Sequence, residues 1–126
     1  MSYKDDELKI RTKKFAVRVY KLKQALDGNG QSRILARQLL RSATSVAANY
    51  RAVCRARSKA EFISKIGVVV EEIDETSFWL EFLTDVELVP AKRLEDLNKE
   101  ARELLAIFAA SQHTARINAK ATAVGQ

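Results

Sequence analysis

The stretch SRILARQLLRSATSVAANYRAVCR, residues 32–55, decides how this chain is read. At 100° per residue, the helical repeat, it sorts into three faces. Arg33, Arg37, Arg41, Arg51 and Arg55 fall within one stripe roughly 80° wide. Leu35, Leu39, Ala43, Val46, Tyr50, Val53 and Cys54 fall on another, and Ser42, Ser45 and Asn49 lie between. From Gln31 to Ala60 there are six Arg, one Lys and no acid. Such a segment predicts a helix with a core face, a small polar seam and a solvated basic ridge.

Working outward, the flanking punctuation predicts three more helices. Upstream, Asp5, Asp6 and Glu7 suit the positive end of a helix dipole. Leu8, Phe15, Val19, Leu22 and Leu26 then share one face, beside a basic stripe of Arg11, Lys14, Arg18 and Lys21 that has no obvious acidic mate. Asp27-Gly28-Asn29-Gly30 predicts a stop, because Gly and Asn tolerate a left-handed cap. The second helix is expected over about 32–55. Downstream, Ser58-Lys59-Ala60-Glu61 reads as a capping box. It opens a third helix to about Asp85, with Phe62, Ile66, Val69, Val70, Ile73 and Leu80 inward and Glu71, Asp74, Glu75, Glu81 and Asp85 as an acidic stripe. Pro90 suits the first position of a fourth helix. There Leu94, Leu97, Ala101, Leu104, Phe108, Ser111 and Ala115 repeat at spacings of three and four, a seam that fits small crossing angles. Past about Ile117 nothing remains to bury. The expected architecture is all-α: an antiparallel up-down-up-down left-handed four-helix bundle over residues 1–118, with a flexible C-terminal tail over 119–126.

The third helix is apolar on more sides than a bundle covers. Phe78 and Phe82 project near the acidic stripe, and Trp79, Leu83 and Val86 fill other directions. A helix apolar most of the way round is buried on most of its sides. One expectation is that Phe78, Phe82 and Val86 form a contact between copies. The other is that the two Phe pack under the loop after Asp85 or beneath the first helix.

Composition narrows the function classes. A chain of 126 residues is one domain by the usual prior, with roughly two-thirds of its unfolded surface available for burial. The net charge of +6 suits an anionic partner and also simply keeps a protein soluble. One cysteine excludes an internal disulfide and a Cys-based zinc cage, and Cys54 on an apolar face reads as an inert thiol. The single histidine, His113, builds neither a triad nor a two-His metal site. Glu71, Glu72, Asp74 and Glu75 lack the Glu-x-x-His partner of a di-metal bundle and read as a solvated or salt-bridged face. Gly28 and Gly30 have no phosphate-loop Lys-Ser/Thr after them. No enzyme, cofactor, metal or small-molecule substrate is expected. Residues 1–14 are charged and carry no apolar signal core, and no run reaches the ~18 apolar residues of a membrane span, so the cytoplasm is the expected location.

Three groups of residues also carry a resemblance. Arg41-Ser42-Ala43-Thr44-Ser45-Val46-Ala47-Ala48-Asn49, then Arg57-Ser58-Lys59-Ala60-Glu61-Phe62, then Glu75, resemble the four-helix-bundle family of proteins encoded in intervening sequences of bacterial 23S ribosomal RNA genes. The resemblance extends over nearly the whole chain. Two positions depart from it: Ala52-Val53 stands where members usually carry Glu-Gly, and Glu71-Glu72 where they usually carry Gly-Ser. The chain therefore resembles a divergent member. The resemblance implies a ring-like homopentamer with no established enzymatic activity. A similar pentameric bundle serves as the accessory protein of diversity-generating retroelements, contacting nucleic acid and a reverse transcriptase; that kinship is analogy at the level of fold.

Two functional readings stand. In one, an oligomer presents a basic surface, with Lys14, Arg18, Lys21, Arg33, Arg37, Arg51 and Arg55, to RNA or another nucleic acid. In the other, the chain is a structural or protein-interaction module whose arginine ridge pairs with the acidic third helix of a neighbouring subunit or partner. Between Glu61 and Glu87 there are eight acids and one Lys, which favours the second; the basic stripe of the first helix favours the first. Arg41, at the edge of the ridge, is expected to be partly buried and hydrogen-bonded.

Overall fold

The computed structural model describes residues 3–124. Four helices follow one another: α1 (Tyr3–Leu26), α2 (Gly30–Val53), α3 (Lys59–Asp85) and α4 (Ala91–Val124). No strand occurs among the described residues. The connections are three to five residues long, so successive helices run antiparallel. Each helix packs on the next in order, and α1 closes the bundle against α4 over a much shorter contact.

The helix boundaries have local causes. Asn29 is extended (φ −115°, ψ 123°), and its Oδ1 accepts the N–H groups of Gln31 at 2.9 Å and Ser32 at 3.2 Å. Two otherwise orphaned donors are thereby satisfied, and α2 starts at Gly30, two residues earlier than expected. The turn before it needs no left-handed residue. It closes by Asp27 N–H to the Gln24 carbonyl (3.4 Å) and Asn29 N–H to the Leu26 carbonyl (3.2 Å), and none of the described glycines has positive φ. Ser58 caps α3 as expected, its Oγ accepting the Glu61 N–H at 3.0 Å.

The left-handed cap occurs instead after α3. Glu87 has φ 61°. Its N–H bonds the Thr84 carbonyl at 2.9 Å, and the Leu88 N–H bonds the Leu83 carbonyl at 3.1 Å. This bond pair is a Schellman motif with Glu87 where glycine is favoured. Leu88 packs against the core beyond it, and Leu83 is fully enclosed.

The expected inward faces meet in the middle. Phe15, Leu39, Ile66, Ile73, Leu80, Leu94, Leu104 and Phe108 are fully enclosed. The Tyr50 and Phe108 rings, on helices diagonal to each other, lie 5.1 Å apart. On α4 the seam is buried as far as Phe108, whereas Ser111 and Ala115 are only half-buried. The helix nevertheless continues to Val124, so the part of the expected tail that lies among the described residues, 119–124, is helical. Ala115, Ala119, Ala121 and Ala123 explain this, since Ala favours helix most without needing burial.

Candidate functional site

The seam between α2 and α3 brings together two of the motif residues, Arg41 and Glu75. Arg41 Nη2 donates to Glu75 Oε1, and Trp79 Nε1 donates to the same oxygen at 3.2 Å. Burial pushes the Glu75 carboxyl up, but the hydrogen bonds from Arg41 and Trp79 and the Arg41 charge outweigh it and hold the group below its ordinary value. One turn inward, the Thr76 hydroxyl lies 2.9 Å from Ser42 Oγ and 2.8 Å from the Glu72 carbonyl. Ser42 donates to the Leu39 carbonyl at 3.0 Å. Both hydroxyls are buried and satisfied. Glu72 Oε2 is buried without a hydrogen-bond partner, 4.0 Å from Arg41 Nη1.

Other motif residues have equally local tasks. Glu61 binds Lys65 Nζ at 2.6 Å, and its carboxyl is held low first by that bond and also by the Arg57 backbone N–H. Phe62 packs against the core, Ser45 and Asn49 are half-buried, and Arg57 is exposed. In this chain the motif residues thus supply an interhelical clasp and a helix start. Arg41 corrects one expectation: it is hydrogen-bonded but exposed, because Glu75 meets it at the outer lip of the seam.

The remaining basic residues separate into two surfaces. Arg33, Arg37 and Arg51 are exposed on α2, and Arg55 is exposed in the turn after it. This is because α2 ends at Val53, two residues short of the expected end, and tightens into the bonds Arg55 N–H to the Ala52 carbonyl and Ala56 N–H to the Val53 carbonyl. Among the described residues none of the four has an acidic partner. On α1, Lys14, Arg18 and Lys21 are exposed too. The α1 stripe does have an acidic mate, contrary to expectation. Arg11 grips Glu100 through two bonds, Nε to Oε2 at 2.9 Å and Nη2 to Oε1 at 2.7 Å, and reaches Glu103 at 2.8 Å. The Arg11 bond is the largest influence holding the Glu100 carboxyl low, and the Arg18 charge adds to it. The α1 stripe therefore leans toward α4, while Arg51 borders a groove on the opposite flank of α1, between α1 and α2. The Glu100–Glu103 spacing on one face of α4 was the available signal, and it becomes readable only once α4 is known to close against α1.

Of the aromatic residues of α3, Phe62 and Trp79 pack partly against the core, whereas Phe78 and Phe82 do not join it. Phe78 is 51 % exposed and Val86 42 %, while Phe82 is half-buried. The Phe78 and Phe82 rings stack at 5.7 Å, with Trp79 edge-on to both. Neither the loop after Asp85 nor α1 covers Phe78, because its position points away from the bundle axis. Nearby, Glu71, Asp74, Glu81 and Asp85 are exposed and, among the described residues, unpaired.

No reactive constellation accompanies these surfaces among the described residues. His113 is exposed, far along α4 from the seam. Burial pushes the Cys54 thiol up, the opposite of what an activated nucleophile needs. Burial likewise pushes the Tyr50 phenol up, its hydroxyl 3.4 Å from Asp5. No three His, Cys, Asp or Glu side chains are grouped to hold a metal ion, and no helix is long and apolar enough to cross a membrane.

Comparison with known proteins agrees with the geometry. A crystal structure of a protein of unknown function from the S23 ribosomal protein family, from Bacteroides thetaiotaomicron VPI-5482, superposes with a TM-score of 0.80 at 32% identity. The match covers 87% of this chain and 98% of that one. No curated protein sequence matches significantly. The sequence profile of the 23S rRNA-intervening sequence proteins matches residues 4–110, which contain the Arg41–Glu75 clasp and the Ser58 cap. With this profile spanning most of its length, the chain belongs to the 23S rRNA-intervening sequence protein family.

Proposed function

We propose that this protein is a non-enzymatic, cytoplasmic assembly protein, a homo-oligomer of four-helix bundles whose α2 arginine ridge binds RNA or another nucleic acid. Its family is one of unknown function and is not a known enzyme family. The observation that carries the reading is the contrast along α2 and the turn that follows it. Arg41 is tied to Glu75, whereas Arg33, Arg37, Arg51 and Arg55 stand exposed with no acid of the described residues paired to them. Guanidinium groups suit phosphate oxygens, and each phosphate they neutralise releases counterions. The chain's net charge of +6 supports the same partner class.

A second reading rests on the exposed Glu71, Asp74 and Glu81, which offer the ridge an acidic mate on another subunit or partner protein. One experiment separates the two: oligomer mass by light scattering and RNA affinity, measured together for Arg37→Glu/Arg55→Glu and for Lys14→Glu/Arg18→Glu. The nucleic-acid reading expects the α2 pair to weaken RNA binding with the mass unchanged, and the salt dependence to flatten by about one unit of slope per lost contact. A loosened assembly with RNA binding retained supports the second reading. If neither pair moves either quantity, both ridges are ordinary solvated faces and the proposal fails.

A further inference from the structure

Among the uncovered apolar surfaces of the described residues, two flank α2 on opposite sides. One is the aromatic ridge of α3, where Phe78 and Phe82 stack beside Trp79 and the exposed Val86. The other is a groove of about 590 Å³ between α1 and α2. Small residues Ala16, Ala47 and Ala48 open it, and exposed Val17 and Tyr20 line it. Its charged lining residues are Lys9, Lys13 and Arg51, with no acid among them. The ridge has the opposite surroundings: the exposed Glu71, Asp74, Glu81 and Asp85 share its helix, and Arg41, the cation that reaches it from α2, is already bonded to Glu75.

We propose that the α3 aromatic ridge of one copy seats in the α1–α2 groove of the next, joining copies head to tail. This rests on the oligomeric part of the reading above and names the surfaces that carry it. A pair of stacked rings is a protrusion, and a recess between two helices with small residues is its complement. Charge selects the same pairing. Groove on groove brings cation against cation, and ridge on ridge brings acid against acid, each disfavoured by like-charge repulsion. Only ridge on groove is attractive. Because the two surfaces lie on different flanks of one chain, a copy that uses its ridge keeps its groove free. The contact is heterologous and propagates until a ring closes. Arg51 then belongs to the subunit contact, while Arg33, Arg37 and Arg55, outside the groove lining, stay available for phosphate.

The test uses two variants at exposed positions, Phe78→Glu on the ridge and Ala48→Glu in the groove, with Val17→Glu as a second groove variant. Wild-type mass by light scattering should be several times 14.2 kDa. Each variant, shown by circular dichroism to remain helical, should fall to the mass of one chain. Mixed at raised concentration, a ridge variant and a groove variant retain one intact ridge and one intact groove between them. They should form a dimer and nothing larger. Folded groove variants that assemble like wild type overturn the proposal and leave the groove to another occupant, such as a small apolar ligand. Variants that both disperse but do not recombine overturn the head-to-tail geometry. A monomeric wild type overturns this inference together with the oligomeric reading. Assembly that behaves as described while RNA affinity is nil leaves this inference standing and sinks only the nucleic-acid reading.

Discussion

Arg41 on α2 and Glu75 on α3, thirty-four residues apart in the chain, are joined by a charge-assisted hydrogen bond, and the indole of Trp79 donates to the same carboxylate oxygen. The clasp lies directly outside the buried Ser42–Thr76 contact. Charge on the surface and hydroxyls in the interior therefore specify the same register between two helices.

Glu75→Gln and Arg41→Gln should each lower the melting temperature, and the double variant should lose less than the sum of the two. Residues in contact are non-additive in this way. Trp79 is the chain's only tryptophan, so its fluorescence reports on the clasp directly. Arg41→Gln should shift its emission by changing the oxygen to which the indole donates. Strict additivity, with an unmoved emission spectrum, would show that the two side chains are independent.

Stability should fall on acidification because Glu75 and Glu100 are both held below the ordinary carboxyl value of 4.5. A carboxyl whose folded value lies below its unfolded value adds stability that is fully present above the unfolded value. That stability is lost as pH falls through the folded one. Urea midpoints should therefore hold steady down to about pH 5 and decline below pH 4.5. Arg11→Gln should flatten the decline, since Arg11 is the largest influence on Glu100. An equally steep decline in that variant would assign the acid sensitivity elsewhere.

Glu87→Gly should stabilise the fold by about 1 kcal/mol, because a left-handed conformation costs a non-glycine residue about 1–2 kcal/mol and glycine little, with part of the gain returned as unfolded-state entropy. Glu87 is exposed and takes part in no ion pair among the described residues, so little else changes on substitution. Chemical denaturation of the two proteins side by side measures the difference. A lower midpoint for the glycine variant would mean that the Glu87 side chain itself contributes.

What the sequence by itself determined is local. The Ser58 cap, the turn at Asp27–Gly30, the start of α4 after Pro90 and the inward faces of all four helices were readable, because capping and helical period depend on residues three or four apart. The residues of the clasp were readable as a pattern, but not as a contact. Tertiary structure decided everything that depends on which helices adjoin and how each is rotated. It gave Arg41 to Glu75 and left Arg37 bare on the same stripe. It matched Arg11 with Glu100 and Glu103 across the closing edge of the bundle. It left Phe78 in the open and created a groove from Ala16, Ala47 and Ala48, which no periodicity distinguishes from ordinary surface. A side chain's angle on its own helix follows from its number in the chain, whereas its neighbour follows from the packing of two helices whose contact lies far apart in sequence.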